Sequence, residues 1–271
     1  MMNPLKSNLE HTFASLPFTF YNEEVLPKIK GLKGAYWLEV KLAQLNNIVV
    51  EKPDEEPTNV LDKDWDNLIL LDACRHDYFK KFYPKTDKIV STGTHSRHFV
   101  ENTFTGRQCQ DIIYITGNPH LRPEKFEDLT DSRLEDTFHS VYQTWDNDWG
   151  GKDYMPPEPI VRDAKTAENL FPDKRKIIHF MQPHDPFVAN DENWMLSEVW
   201  KGKKTVEEAR EAYHDNIGFL ISHIEDLADS LEGKTVVSAD HGELLGEYGL
   251  LSHPYGVNAK ELREVPWHVM D

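Results

Sequence analysis

Thr235-Val236-Val237-Ser238-Ala239-Asp240-His241-Gly242-Glu243 is the stretch that decides how this sequence folds. Its first five residues are uncharged and small or β-branched, which suits a strand buried on both faces, and such strands occur in parallel sheets covered by helices. Just before it, Val206, Ala209, Tyr213, Ile217, Leu220, Ile224, Leu227 and Leu231 recur at i+3 and i+4 spacing, the stripe of an amphipathic helix. Thr205 and Glu208 give the start of that helix a capping-box pattern, and Gly233 ends it. Helix, glycine and buried strand make one α/β step. The step delivers Asp240 and His241 to the strand's carboxyl end, where open α/β sheets carry their ligands.

Outward from this step the same pattern repeats. Residues 68–72, 88–91, 112–116 and 176–181 are short apolar runs separated by helical stretches, so the expected fold is a three-layer αβα sandwich around a mostly parallel sheet. Residues 1–60 read as a mainly helical appendage, with a helix over 23–45 interrupted at Gly31 and Gly34 and an acidic, proline-containing linker over 51–57. The α/β domain then occupies 61–271. Inside it, 121–159 shows no periodicity; Tyr142, Trp145, Trp149 and Tyr154 crowd there with Asp146, Asp148 and Gly150-Gly151, and the expectation is an insertion draped over one face of the sheet.

Composition removes several classes of function. The 271 residues carry 47 Asp and Glu against 30 Lys and Arg, a net charge of −17, and no basic stripe, so a nucleic-acid partner is not expected. The longest apolar runs, 68–71 and 112–115, are far shorter than the ~20 residues of a membrane-spanning helix. The N-terminus lacks a basic-then-apolar leader pattern, which points to a cytoplasmic protein. Cys74 and Cys109 have no CxxC spacing and read as two reduced thiols.

Chemistry collects at three places. Asp240 and His241, side by side at a strand end, can reach one hard or borderline cation, and Gly242, Gly246 and Gly249 let the following loop close around it; a helix cap is the plainer reading of the pair. Asp72 ends the apolar strand Leu68-Ile69-Leu70-Leu71 on the same sheet edge, as a second ligand or as an N-cap for the helix that follows. Ser96, in Ser91-Thr92-Gly93-Thr94-His95-Ser96, opens a helical stretch whose N-terminal N–H groups favour an alkoxide or a bound oxyanion.

Together these residues resemble the alkaline phosphatase/sulfatase superfamily, most closely its sulfatase-like branch. The resemblance is carried by Asp72, by Ser96 with Thr105-Gly106 nine residues on, by His179 and His184 in His179-Phe180-Met181-Gln182-Pro183-His184-Asp185-Pro186, by Asp240-His241-Gly242, by His253-Pro254 and by the late Arg263-Glu264-Val265-Pro266. It implies that Asp72, Asp240 and His241 bind a catalytic divalent metal and that Ser96 is the metal-bound nucleophile. His184 and His253 match histidines that bind a second metal or hold the substrate's oxygens. Four residues before His184, where a two-metal phosphatase has aspartate, this chain has Phe180. His179 is a further candidate, or a strand histidine satisfied by a neighbour. Arg75 either meets an anionic substrate or pairs with Asp77 or Asp72. Thr94 is the alternative nucleophile.

The implied cofactor is one or two divalent ions, with zinc or manganese suiting mixed nitrogen and oxygen ligands and calcium or magnesium less so. The implied activity is hydrolysis or transfer of a phosphate ester, on a small molecule or a glycan, through a phosphoseryl intermediate. Sulfatases of this family mature a Cys or Ser within C/S-x-P-x-R to an aldehyde. Here Ser96-Arg97-His98-Phe99-Val100 has His98 and Val100 at the proline and arginine positions. A sulfuric ester hydrolase is therefore the second reading, and a non-catalytic binding protein for a glycan or envelope component the third.

Overall fold

The computed structural model describes residues 50–146 and 154–270. The expected helix over 23–45 lies outside these residues, as do Asp148, Trp149 and Gly150-Gly151. The strands are β1 (Asn67–Asp72), β2 (Asp87–Val90), β3 (Cys109–Thr116), β4 (Phe138–Gln143), β5 (Arg175–Pro183), β6 (Thr235–Ala239), β7 (Leu244–Leu245), β8 (Leu251–Ser252) and β9 (Glu264–Val269). Seven of them form one sheet in the order β2-β9-β6-β1-β5-β3-β4, and β7 and β8 pair as a small separate ribbon. Within the seven-stranded sheet only β9 runs against its neighbours, β6 and β2, and the other pairings are parallel; the β7–β8 ribbon is antiparallel.

All six residues of β1 and all five of β6 are buried, as suits the apolar run Leu68–Leu71 and the uncharged residues of β6. Helices cover the sheet: α1 (His76–Phe79), α2 (Ser96–Phe104), α3 (Pro123–Thr130), α4 (Leu134–Thr137), α5 (Pro157–Leu170), α6 (Ser197–Trp200), α7 (Val206–Ala228) and α8 (Lys260–Arg263). Helices α5 and α7 pack on each other and on β5. Helix α2 packs on α3 and sets Phe104 against Tyr114 of β3 and Phe138 of β4. The result is the three-layer α/β sandwich expected from the strand pattern.

Helix α7 has its capping box in full: Glu208 N–H donates to the Thr205 hydroxyl, and Thr205 N–H donates to the Glu208 carboxylate. Its buried face keeps Ala209, Tyr213, Ile217, Leu220, Ile224 and Leu227 of the stripe read from sequence and adds Ala212 and one polar residue, Asn216; Val206 is half-buried and Leu231 lies past the helix end at Ala228. The stretch 121–159 has more regular structure than its lack of period suggests, since it contains α3, α4, the start of α5 and the sheet strand β4. Strand β4 escapes a pattern search because it is at the edge of the sheet: Phe138 is buried and the remaining five residues are half-buried or exposed, so no clean alternation is imposed. Pro157 and Pro159 sit in the first turn of α5, where the missing N–H costs nothing. Cys74 and Cys109 are free and buried. Among the described residues no helix is long and apolar enough to cross a membrane.

Candidate active site

Strand register places the first two carboxylates. Leu71 of β1 lies opposite Ala239 of β6 in a parallel pair, so the next residues, Asp72 and Asp240, leave the sheet side by side. At this point Ala73 turns the chain with φ +62, a left-handed conformation unusual for a side chain other than glycine. The turn is pinned from α7, where the Tyr213 hydroxyl donates to Ala73 O at 2.5 Å and accepts from Arg75 N–H at 2.9 Å. Ala73 N–H and His241 N–H both donate to Asp240 Oδ1, at 3.1 and 2.9 Å. With Oδ1 occupied, Oδ2 faces the interior of the site.

Ser96 is the first residue of α2, as its position in the sequence suggested. Its hydroxyl donates to Asp240 Oδ2 at 2.7 Å and lies 3.3 Å from both Asp72 Oδ2 and His241 Nε2. Asn118, just past the end of β3, donates from Nδ2 to Asp72 Oδ2 at 2.9 Å. His241 donates from Nδ1 to Gly242 O at 2.8 Å, which turns Nε2 toward Asp72 Oδ1 and Asp240 Oδ2, at 3.5 and 3.6 Å. The loop can pass this close only with glycine at 242, where a Cβ would meet Glu261 O at 2.0 Å.

Burial disfavours charge in this cluster, yet the charged forms win. Burial and the neighbouring Asp240 push the Asp72 carboxyl up, and the imidazoles of His241 and His184 bring it below its usual range. Burial likewise pushes Asp240 up, and His241, His179 and Ser96 hold it far below. Burial pushes His241 down, while Asp240 and Asp72 hold it up to about 9. The set therefore balances its negative charge with a proton that a cation can replace.

The residues fit a divalent cation. One ligand atom each from Asp72, Asp240 and His241 lies within 4.8 Å of the other two, and Asp72 Oδ1 is buried without a hydrogen-bond partner. The Nδ1–H of His241 is committed to a backbone carbonyl, the arrangement that orients an imidazole for a metal.

A second donor set adjoins the first. Ligand atoms of His184, Glu243 and His253 lie within 4.8 Å of one another, and the His241 and His253 ring centroids are 4.6 Å apart. His253 Nδ1 stands 3.1 Å from Glu243 Oε1. Burial pushes the Glu243 carboxyl up to about 7. His184 follows β5, and its N–H donates to Asp72 O at 3.1 Å, tying it to the end of β1. Phe180 is fully buried in the core, so the carboxylate of this set comes from Glu243 instead. Glu243 was not anticipated, although it stands three residues after Asp240 in the deciding stretch and is 1% exposed.

The remaining candidates fall outside both sets. His179 is fully buried, with Nδ1 3.0 Å from the Tyr114 hydroxyl and Nε2 3.6 Å from Asp240 Oδ2, so it lies behind Asp240. The Arg75 guanidinium pairs with Asp77 at 2.9 and 2.7 Å and with Glu247 at 2.8 Å, and donates to Glu243 O at 3.2 Å. Of its two expected roles it takes the ion pair, with Asp77 and not with Asp72. The Thr94 hydroxyl is 3.4 Å from His98 Nδ1, away from the carboxylates that hold Ser96.

The architecture is the three-layer α/β fold that the motifs' resemblance implies. Among solved structures, the chain is similar to the C-terminal periplasmic domain of phosphoethanolamine transferase EptC from Campylobacter jejuni, with a TM-score of 0.50 and 16% identity over 75% of this chain and 78% of that one. It is also similar to the integral membrane protein lipooligosaccharide phosphoethanolamine transferase A from Neisseria meningitidis, with a TM-score of 0.52 and 13% identity over 97% of this chain and 58% of that one. At these identities the likeness is one of fold. No protein-family model and no curated protein matches the sequence.

Proposed function

We propose that the chain is a metal-dependent phosphate-ester transferase or hydrolase with Ser96 as its nucleophile. The observation that carries this reading is the position of Ser96 Oγ, 2.7 Å from Asp240 Oδ2 and 3.3 Å from both Asp72 Oδ2 and His241 Nε2, in a buried set of metal-type donors. Asp72, Asp240 and His241 would hold the cation, and His184, Glu243 and His253 a second one. A divalent cation bound there supplies positive charge that eases ionisation of the serine hydroxyl and offsets charge at the transferring phosphorus.

The chain's own groups do the rest. Asp240 directs the Ser96 proton away from the attacking lone pair, and the N-terminus of α2 favours negative charge at this position. As the Oγ–P bond forms, the bond from phosphorus to the leaving oxygen breaks. Burial pushes His184 down, but Asp72 and Asp185 hold it up to about 9 in the cation-free site; as a cation ligand it would be neutral, so the leaving alkoxide takes its proton from water. Water or an acceptor alcohol then attacks the phosphoseryl group and releases Ser96.

Two features support phosphate over sulfate. Ser96-Arg97-His98-Phe99-Val100 lacks the proline and arginine of the aldehyde-forming motif, and a plain serine cannot expel sulfate by collapsing to a carbonyl. The fold's likeness to two phosphoethanolamine transferases supports the same class. Turnover of a panel of phosphate and sulfate esters by metal-loaded protein tests the reading; faster sulfate-ester turnover would overturn it.

A further inference from the structure

Asn216 is the one polar side chain among the wholly buried positions of α7, between Tyr213 and Ile217 on a face otherwise made of apolar and aromatic groups. Burying an amide is costly unless its hydrogen bonds are made. Here all four are: Oδ1 accepts from Val188 N–H at 2.9 Å and Ala189 N–H at 3.2 Å, and Nδ2 donates to Pro183 O at 3.2 Å and Pro186 O at 3.4 Å. That is the full capacity of the group.

All four partners lie on the backbone of 183–189, the segment that carries His184. Pro183 and Pro186 have no N–H of their own, which limits the segment's capacity to organise itself through backbone hydrogen bonds. Its other ties include His184 N–H to Asp72 O at 3.1 Å, the Asp185 carboxylate, which accepts from Leu196 N–H at 2.8 Å, the backbone pair of Phe187 with Trp194 at 2.8 and 3.3 Å, and the Phe187 ring against Tyr213. His184 thus lies between the end of β1 and helix α7, and the hydrogen bonds that tie 183–189 to α7 come from a single amide.

We propose that Asn216 is a positioning residue for the second donor set: it fixes the 183–189 backbone so that His184 meets Glu243 and His253. This rests on the reading that the second set binds a divalent cation, and the test separates the two claims. Cobalt(II) is titrated into the full-length protein and followed by its visible absorption, for wild type, Asn216→Leu and Asn216→Asp. Leucine fills the space without the hydrogen bonds. Aspartate keeps the two acceptor contacts and loses the two donor contacts.

Wild type should take two equivalents. Both variants should take the first with unchanged affinity and the second about 10- to 100-fold more weakly, the usual loss when a partner that orients a metal ligand is removed. A role in packing alone leaves both equivalents of Asn216→Leu at wild-type affinity, and that result overturns the proposal while sparing the two-set reading. If Asn216→Leu does not fold, an unweakened second equivalent in Asn216→Asp overturns it equally. A wild type that takes a single equivalent overturns the two-set reading, and the proposal with it.

Discussion

The Ser96 hydroxyl donates to Asp240 Oδ2 at 2.7 Å, joining the first residue of α2 to the residue that follows β6. Asp240 Oδ1 is taken by two backbone N–H groups, so the carboxylate cannot rotate away from the serine without losing both. This fixed direction of the Ser96 proton is what favours Ser96 over Thr94 as the proposed nucleophile. Ser96→Ala should lower kcat for a phosphate ester by at least ~10³ with the melting temperature little changed, whereas Thr94→Ala should stay active. Steady-state kinetics of the two variants check this, and the reverse pattern would move the nucleophile to Thr94.

Metal retention follows from the donor set. Asp240→Ala with His241→Ala removes two of the three ligands, so protein purified without chelator should lose the ion that wild type keeps. Elemental analysis reads this directly; an undiminished ratio of metal to protein would reject Asp240 and His241 as ligands.

The pH dependence has a defined sign. Burial lowers His241 and His184, but the carboxylates beside them, Asp240 and Asp72 for His241 and Asp72 and Asp185 for His184, hold both up to about 9, above the ~6.5 of a free imidazole. A raised imidazole stabilises the folded state fully below ~6.5, and that contribution is lost as pH rises through about 9. The metal-free protein should therefore melt at progressively lower temperature across this window. Because a ligating imidazole must be neutral, metal binding near pH 7.5 should also release protons, and calorimetry in buffers of different ionisation enthalpy will show it. Heats that do not depend on the buffer would contradict these assignments.

The turn after β1 depends on a hydroxyl from another layer. Tyr213→Phe leaves Ala73 O and Arg75 N–H without their buried partner, which should destabilise the protein by about 1–3 kcal/mol. Urea unfolding measures it, and a change below ~0.5 kcal/mol would show that other groups hold the turn.

The sequence shows plainly what local patterns encode. Strands β1 and β6, the capping box of α7 and the helix that begins at Ser96 are set by neighbours in the chain, and β6 is a run of five uncharged residues, all buried. Asp72, Asp240 and His241 can be placed on one sheet edge because strand ends bring them there. Glu243 and Asn118 are harder, since their roles come from contacts with His253 and Asp72 made only once the chain has folded. Asn216 interrupts an apolar stripe by one residue, and its partners lie about thirty residues away across a loop. Arg75 is held by two carboxylates at once, Asp77 and Glu247, and only one of them is near in sequence.

Trapping of the covalent intermediate tests the central claim most directly. Metal-loaded protein is quenched in acid during turnover of a phosphate ester, and the peptide containing residue 96 is mapped by mass. The proposed mechanism requires an unmodified serine before reaction and a phosphoryl group on Ser96 during it. An aldehyde at position 96 with sulfate esters turned over faster than phosphate esters, or steady turnover with the label on Thr94 or on no serine at all, would contradict it.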